Sequence, residues 1–185
     1  MRLTLHYRGP LRANGGPEHK HDIREHFHAQ LAGLWNQKPL SESLGFLQPR
    51  QGPGNYSLLR PLGAFTFVPL ITAEMNALAE LSITLLRPES PGGLLTQGGD
   101  IDNRLKTLFD ALTMPRHPNA LPSGGAPKPD QARFFCLLED DNLIVSLSVR
   151  TEQLLEPVND KSLVDAMIFV QTRVTRTTIG NQDFV

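Results

Sequence analysis

The sequence predicts one α+β domain of 185 residues, a mixed β-sheet with two main helices packed on one face. Three observations predict it. Apolar residues make up 39% of the chain and charged residues 20%, enough for one core at a length typical of one domain. Strand-like segments recur along the chain, while two segments, near residues 22–35 and 101–112, carry the helical period instead. No internal repeat divides the chain, so residues 1–185 read as one unit with irregular insertions at about 37–63 and 114–131.

Arg2–Arg8 alternates Leu3, Leu5 and Tyr7 with Arg2, Thr4 and His6, which predicts a strand. The Asn-Gly and Gly-Pro breakers of GPLRANGGPEHKH read as turns. Asp22 then caps a predicted helix to about Trp35 that buries Ile23, Phe27, Leu31 and Leu34. Residues 37–63, rich in Pro, Gly, Gln and Ser, read as an irregular excursion. Phe65–Ile71 and Ala79–Arg87 are predicted strands, the second ended by Pro88. Leu105, Leu108, Phe109 and Leu112 fall at i, i+3, i+4 and i+7, which predicts an amphipathic helix ended by Pro115. Five prolines and two glycines in residues 114–131 predict a mobile loop. Arg133–Leu138 and Leu143–Val149 read as strands flanking Glu139-Asp140-Asp141, the second burying Leu143, Val145, Leu147 and Val149. A last strand is expected within Leu163–Thr175.

A single cysteine, Cys136, excludes an intramolecular disulfide and a Cys-rich zinc site, and its place in FFCLL makes it a core residue. Trp35, closing its helix, reads as packing as well. No apolar run approaches the ~20 residues of a membrane span, and the start of the chain lacks a signal-peptide layout. The expectation is a cytoplasmic protein with no membrane partner. The net charge of −1 is unevenly spread: residues 1–60 hold eight basic groups, four acidic ones and five of the six histidines. A basic part joined to an acidic part suits a protein that meets an anion with one and a cation with the other; chance partition of surface charge gives the same pattern.

The densest functional signal is Gly98-Gly99-Asp100-Ile101-Asp102-Asn103-Arg104-Leu105-Lys106. Asp100 and Asp102, two apart in an extended lead-in, point the same way, and Asp102 falls at the N-cap of the second helix, where backbone N–H groups favour a carboxylate. Lys106 and Asp110 follow one and two turns on, along a stripe that packing does not use. Strand parity turns Asp141 toward the helix side, where it is expected to meet Asp100 and Asp102. Three converging carboxylates need a cation, and a hard divalent ion, Mg²⁺ or Mn²⁺, is the natural occupant, with Asp140 in reserve.

The run DIDNRLKTLFDAL, followed by EDDNLIVSLSV, resembles the RusA-type Holliday junction resolvases, small and largely phage-derived endonucleases of recombination and repair. Their mark is an Asp-x-Asp-Asn helix start, a lysine within that helix, Asp-Ala-Leu, and an Asp-Asp before a strand. The likeness covers about residues 79–150 and extends loosely to the N-terminus. Three departures stand beside it: Leu143 replaces a usually polar residue, the loops at 37–63 and 114–131 are long, and the chain is less basic. The resemblance implies a homodimeric, Mg²⁺-dependent nuclease. In it Asp100, Asp102 and Asp141 match the metal-binding aspartates, and Lys106 matches the catalytic lysine.

The expected function is therefore hydrolysis of phosphodiester bonds in branched DNA, foremost four-way junctions, by paired cuts. Arg8, Arg12, Lys20, Arg24 and Arg104 are the residues expected to track the DNA backbone. Two other readings remain open: a catalytically silent DNA-binding or protein-interaction module that keeps the fold, and a nuclease for flaps or other branches. His19, His21, His26 and His28 look like a metal cluster but contain no i, i+4 pair, and a phosphate-facing or solvated role is expected instead.

Overall fold

A computed structural model describes residues 1–52, 56–88 and 101–174. Seven strands and two α-helices alternate along it: β1 (Arg2–Pro10), α1 (Pro17–Trp35), β2 (Arg60–Leu62), β3 (Phe65–Ile71), β4 (Ala77–Arg87), α2 (Ile101–Leu112), β5 (Phe134–Leu138), β6 (Ile144–Gln153) and β7 (Leu163–Val174). The α+β class stands as expected. The single sheet does not: the strands form a four-stranded sheet, β1-β7-β4-β6, and a three-stranded sheet, β2-β3-β5. Each is mixed, with β4–β6 and β3–β5 parallel and the other pairs antiparallel.

The four-stranded sheet buries one face. Leu5, Ile83, Ile168 and their neighbours two residues along turn inward and meet Ile23, Phe27 and Leu31 of α1 and Leu108 and Leu112 of α2 in the main core. A smaller core of Phe65, Phe67, Phe134, Cys136 and Leu121 belongs to the three-stranded sheet. Leu121 and the buried Gln131 anchor the 114–131 segment, whose prolines predict a mobile loop. Burial pushes the Cys136 thiol up to about 12, so it is an inert core residue. Trp35 is buried as well.

Two element readings are corrected. Helix α1 starts at Pro17 behind Gly16, five residues before Asp22, because proline is preorganised for the first helical position and gives up an N–H that has no partner there. Gly15, just before it, must lack a side chain: a Cβ there would stand 2.6 Å from the His19 ring and 2.9 Å from Thr107. Its N–H donates to Thr107 Oγ1 at 3.1 Å, tying the turn to α2. Strand β6 is an edge strand, and Val145 and Leu147, expected to be buried, are about half exposed. Alternation marks the two faces of a strand; it does not reveal whether a neighbour covers them.

Four histidines lie along α1 and form no metal cluster with other described residues. His28 Nδ1 accepts the Phe135 N–H at 2.9 Å, and its ring stacks on Phe134 with centroids 4.6 Å apart. His21 lies between Phe65 and Phe134, 3.8 Å from Glu25, with Arg24 and Lys128 also facing it. Burial pushes both imidazoles below their ordinary value. The folded state therefore refuses protons that the unfolded chain takes up below its value of about 6.5. Stability should hold above that pH and fall as pH drops from about 6.5 toward 5. Urea midpoints across this range should show the decline, and His28→Gln, which still accepts from Phe135, should flatten it.

Candidate functional site

The two acidic segments occupy different ends of the four-stranded sheet. At one end Pro10 pairs with Leu163, Leu86 with Asp165 and Arg87 with Gln153. At the other, Arg2 pairs with Gln171 and Ala79 with both Ile144 and Thr172. The first turns of α2 belong to the Pro10 end, through the Gly15–Thr107 bond and the pull of Arg12 and Arg104 on Asp160. The acidic turn belongs to the other end: Glu139 N–H donates to Ile71 O at 2.9 Å, and Asp141 directly precedes the Ile144 end of β6. Ten residues of β6 at about 3.3 Å each separate these ends by roughly 30 Å.

Asp102 lies in the first turn of α2, one residue inside its start, where its Oδ1 accepts the Asn103 N–H at 2.9 Å. Asp102 and Lys106 are exposed one turn apart, on the stripe the sequence indicates, and Lys106 forms no ion pair with a described residue. Asp100 lies outside the described residues. Asp110, the next residue of the stripe, has a packing duty after all: its carboxylate meets Lys20 Nζ at 2.7 Å and clamps α2 to α1.

Asp140 and Asp141 sit beside the last turn of α2. Asp140 Oδ1 accepts the Asn142 N–H at 2.9 Å and starts the single 3₁₀ turn Asp141–Leu143. Arg116 Nη2 then bridges the pair, 2.8 Å from Asp140 and 2.7 Å from Asp141. The Asn142 N–H first, with help from that guanidinium, holds the Asp140 carboxyl below the usual carboxylate range. Glu139 has a separate task, accepting from Arg60 Nε at 2.5 Å and the Ala73 N–H at 3.2 Å. A cleft of about 230 Å³ opens here, lined by Arg24, Asp110, Thr113, Met114, Arg116 and Asp141 among others.

Asp141 thus sits beside the last turn of α2 and Asp102 in its first, and no contact joins them among the described residues. Among the described residues no group of three histidine, cysteine or carboxylate side chains is placed to hold a metal ion. A hard divalent ion takes six or more oxygens at roughly 2.0–2.6 Å as a general rule, so its ligands must lie within a few ångströms of one point. Among the described residues Asp102 stands alone at the start of α2, while Asp140 and Asp141 are engaged by Arg116. Arg116 is the residue that sequence reasoning missed. Its only signal was a lone basic residue in a proline-rich loop, MPRHP.

The basic set is also less bare than its sequence suggests. Arg8 is paired with Glu156 and Lys20 with Asp110, while Arg104 is buried. Arg12 is exposed. Arg24 is only 2% exposed, and burial pushes its guanidinium down to about 10. Its Nη2 donates to Asp110 O at 2.7 Å, a carbonyl in the last turn of α2, and its Nε to Thr113 O at 3.2 Å, one residue past the helix.

No family model, curated protein or solved structure matches this chain. The likeness to the resolvases rests on the motif residues themselves.

The geometry of Arg24 makes it structural. Arg24→Met should leave two carbonyls unpaired and cost about 2–4 kcal/mol, measured as the shift in urea unfolding free energy.

Proposed function

We propose that this chain is a divalent-metal-dependent endonuclease that hydrolyses phosphodiester bonds in branched DNA, foremost four-way junctions, as a homodimer. The observation that carries the reading is the pairing of Asp102 with Lys106, one turn apart on the exposed face of α2, inside a run that resembles the RusA-type pattern. Lys106 has no task in the fold, and Asp102 has only the Asn103 N–H and the favourable first turn of the helix. Lys106 would meet a backbone phosphate as a mobile point charge and stabilise the negative charge that grows during cleavage. The Mg²⁺ or Mn²⁺ requirement is part of the proposal and rests on Asp100 and Asp102, with Asp140 and Asp141 on the other acidic segment. Arg12 would contribute sequence-independent affinity.

One observation favours a second reading, a catalytically silent DNA-binding or protein-interaction module. Arg116 already engages both Asp140 and Asp141, offsetting one of their two charges, and they sit beside the last turn of α2 while Asp102 lies in its first.

Two measurements separate the readings. Calorimetry with Mg²⁺ or Mn²⁺ should show binding that is lost in Asp102→Asn, and weakened in Asp141→Asn where the second copy of the dimer brings its acidic turn to the first turn of α2; unchanged affinity in both variants removes the metal site. On a labelled four-way junction, Lys106→Ala should cut about two to three decades more slowly with Mg²⁺ while binding in Ca²⁺ changes little. A wild-type protein that binds the junction yet never cuts it is the silent module.

A further inference from the structure

The four-stranded sheet has helices on one face only. Among the described residues nothing covers its other face, and two large apolar side chains stand near its centre. On β7, the strand between β1 and β4, Phe169 is 46% exposed and Met167 37%. Phe169 pairs across β1 with Thr4 and across β4 with Ser82, and Ser82 pairs onward with Ser148 of β6. Partners in register share a face, so one large ring stands beside a row of small hydroxyl residues. Beside it runs a groove of about 610 Å³, bordered by Phe169, Thr4, Ser82, Ser146 and Ser148 among others.

From this geometry we infer that the open face is the contact between two copies of the chain, packed sheet against sheet about a two-fold axis lying in the interface. Three features point to a second copy. The face is self-complementary in shape, since a two-fold axis carries the Phe169 knob of each copy into the hydroxyl-lined hollow of the other. Its charge is self-balanced: Arg173 lies 3.8 Å from Glu80, and Arg8 lies 3.9 Å from Asp165. A phosphate backbone would find little surplus positive charge here, whereas an apolar centre with a mixed charged rim is the make-up of a protein interface. Its area is also sufficient. Four strands about 4.8 Å apart, each about ten residues long, project roughly 600 Å². Side-chain relief brings this close to the about 800 Å² per partner of a standard interface. The parallel β4–β6 pair adds weight, because parallel strands are ordinarily covered on both faces.

This inference supplies a surface for the homodimer of the function proposed above and rests on that reading for the two-copy state alone. Sedimentation of the full chain at tens of micromolar tests it, with Phe169→Asp and Thr4→Arg as variants on exposed positions. Wild type should sediment as a dimer. Each variant should keep its far-ultraviolet dichroism and raise the dimer dissociation constant about 100-fold or more, as a charge forced into an apolar contact demands. Ser82→Cys is a nearly isosteric second probe: its maleimide labelling should slow about tenfold or more between dilute and concentrated protein, since an interface excludes the reagent. A monomeric wild type, or variants that dimerise as wild type does, or unprotected Ser82→Cys, overturns the inference. In the second case the dimer survives on another surface and the nuclease reading is untouched. A monomeric wild type whose junction binding is lost in Phe169→Asp would make the face a nucleic-acid platform, which also overturns it. Junction cleavage by a monomeric wild type would separate the failure of this interface from failure of the enzyme reading.

Discussion

A guanidinium taken out of water needs acceptors, and Arg24 donates to Asp110 O in the last turn of α2 and to Thr113 O just past its end, while its Nη1 is buried without a partner. That choice fixes where α2 ends and which side of it faces α1. With Lys20 on Asp110 one turn away, α1 grips the C-terminal half of α2 through two cations. The chain leaving α2 then pairs immediately, Met114 N–H donating to Leu138 O at 2.9 Å, so the end of β5 and the acidic turn behind it are docked at the same place. The position of Asp140 and Asp141 therefore follows from a contact made by residue 24.

The same constraint separates the two acidic segments. Helix α2 extends about 18 Å over twelve residues. Groups docked at its C-terminal end therefore sit toward the far end of the helix from its first turn. Once Arg24 and Leu138 hold the C-terminal end beside the acidic turn, Asp102 must project at the opposite end. Arg116 follows as a local necessity. Two adjacent carboxylates on a tight turn repel each other, and the first residue past Pro115 that carries a positive charge reaches both.

These long-range consequences show where the sequence was readable and where it was not. Phe65–Ile71 appears as a strand from its composition, and α2 from Leu105, Leu108, Phe109 and Leu112, because each signal is local and periodic. The exposed Asp102 and Lys106 were legible for the same reason, as polar positions left over when the apolar stripe is assigned. Pro17 misled because the same residue breaks a helix interior and begins a helix. Val145 and Leu147 misled because an alternating edge strand looks like a covered one. Arg24 and Arg116 were illegible in their true roles. One stands among charged residues of a basic segment and the other in a proline-rich loop, and their partners lie 86 to 89 and 24 to 25 residues away.

The placement of charge also bears on what the site can do. Cations such as Lys20, Arg24 and Arg60 are committed to carboxylates or carbonyls of this chain, so their charge is largely spent on holding the fold. Lys106 is different in kind: it stands exposed a turn beyond Asp102, and no described carboxylate claims it. A flexible ammonium kept in water loses little by remaining unpaired, and it keeps its full attraction for a phosphate that approaches. Asp102 is likewise held by a single backbone N–H, which leaves its other oxygen outward. Charges that the fold does not need, kept side by side on a rigid helix, are where a ligand of matching charge can bind without first breaking a structural contact. The start of α2 is thus a place where charge is left over once the fold is made, whereas the charge of the acidic turn is engaged by Arg116.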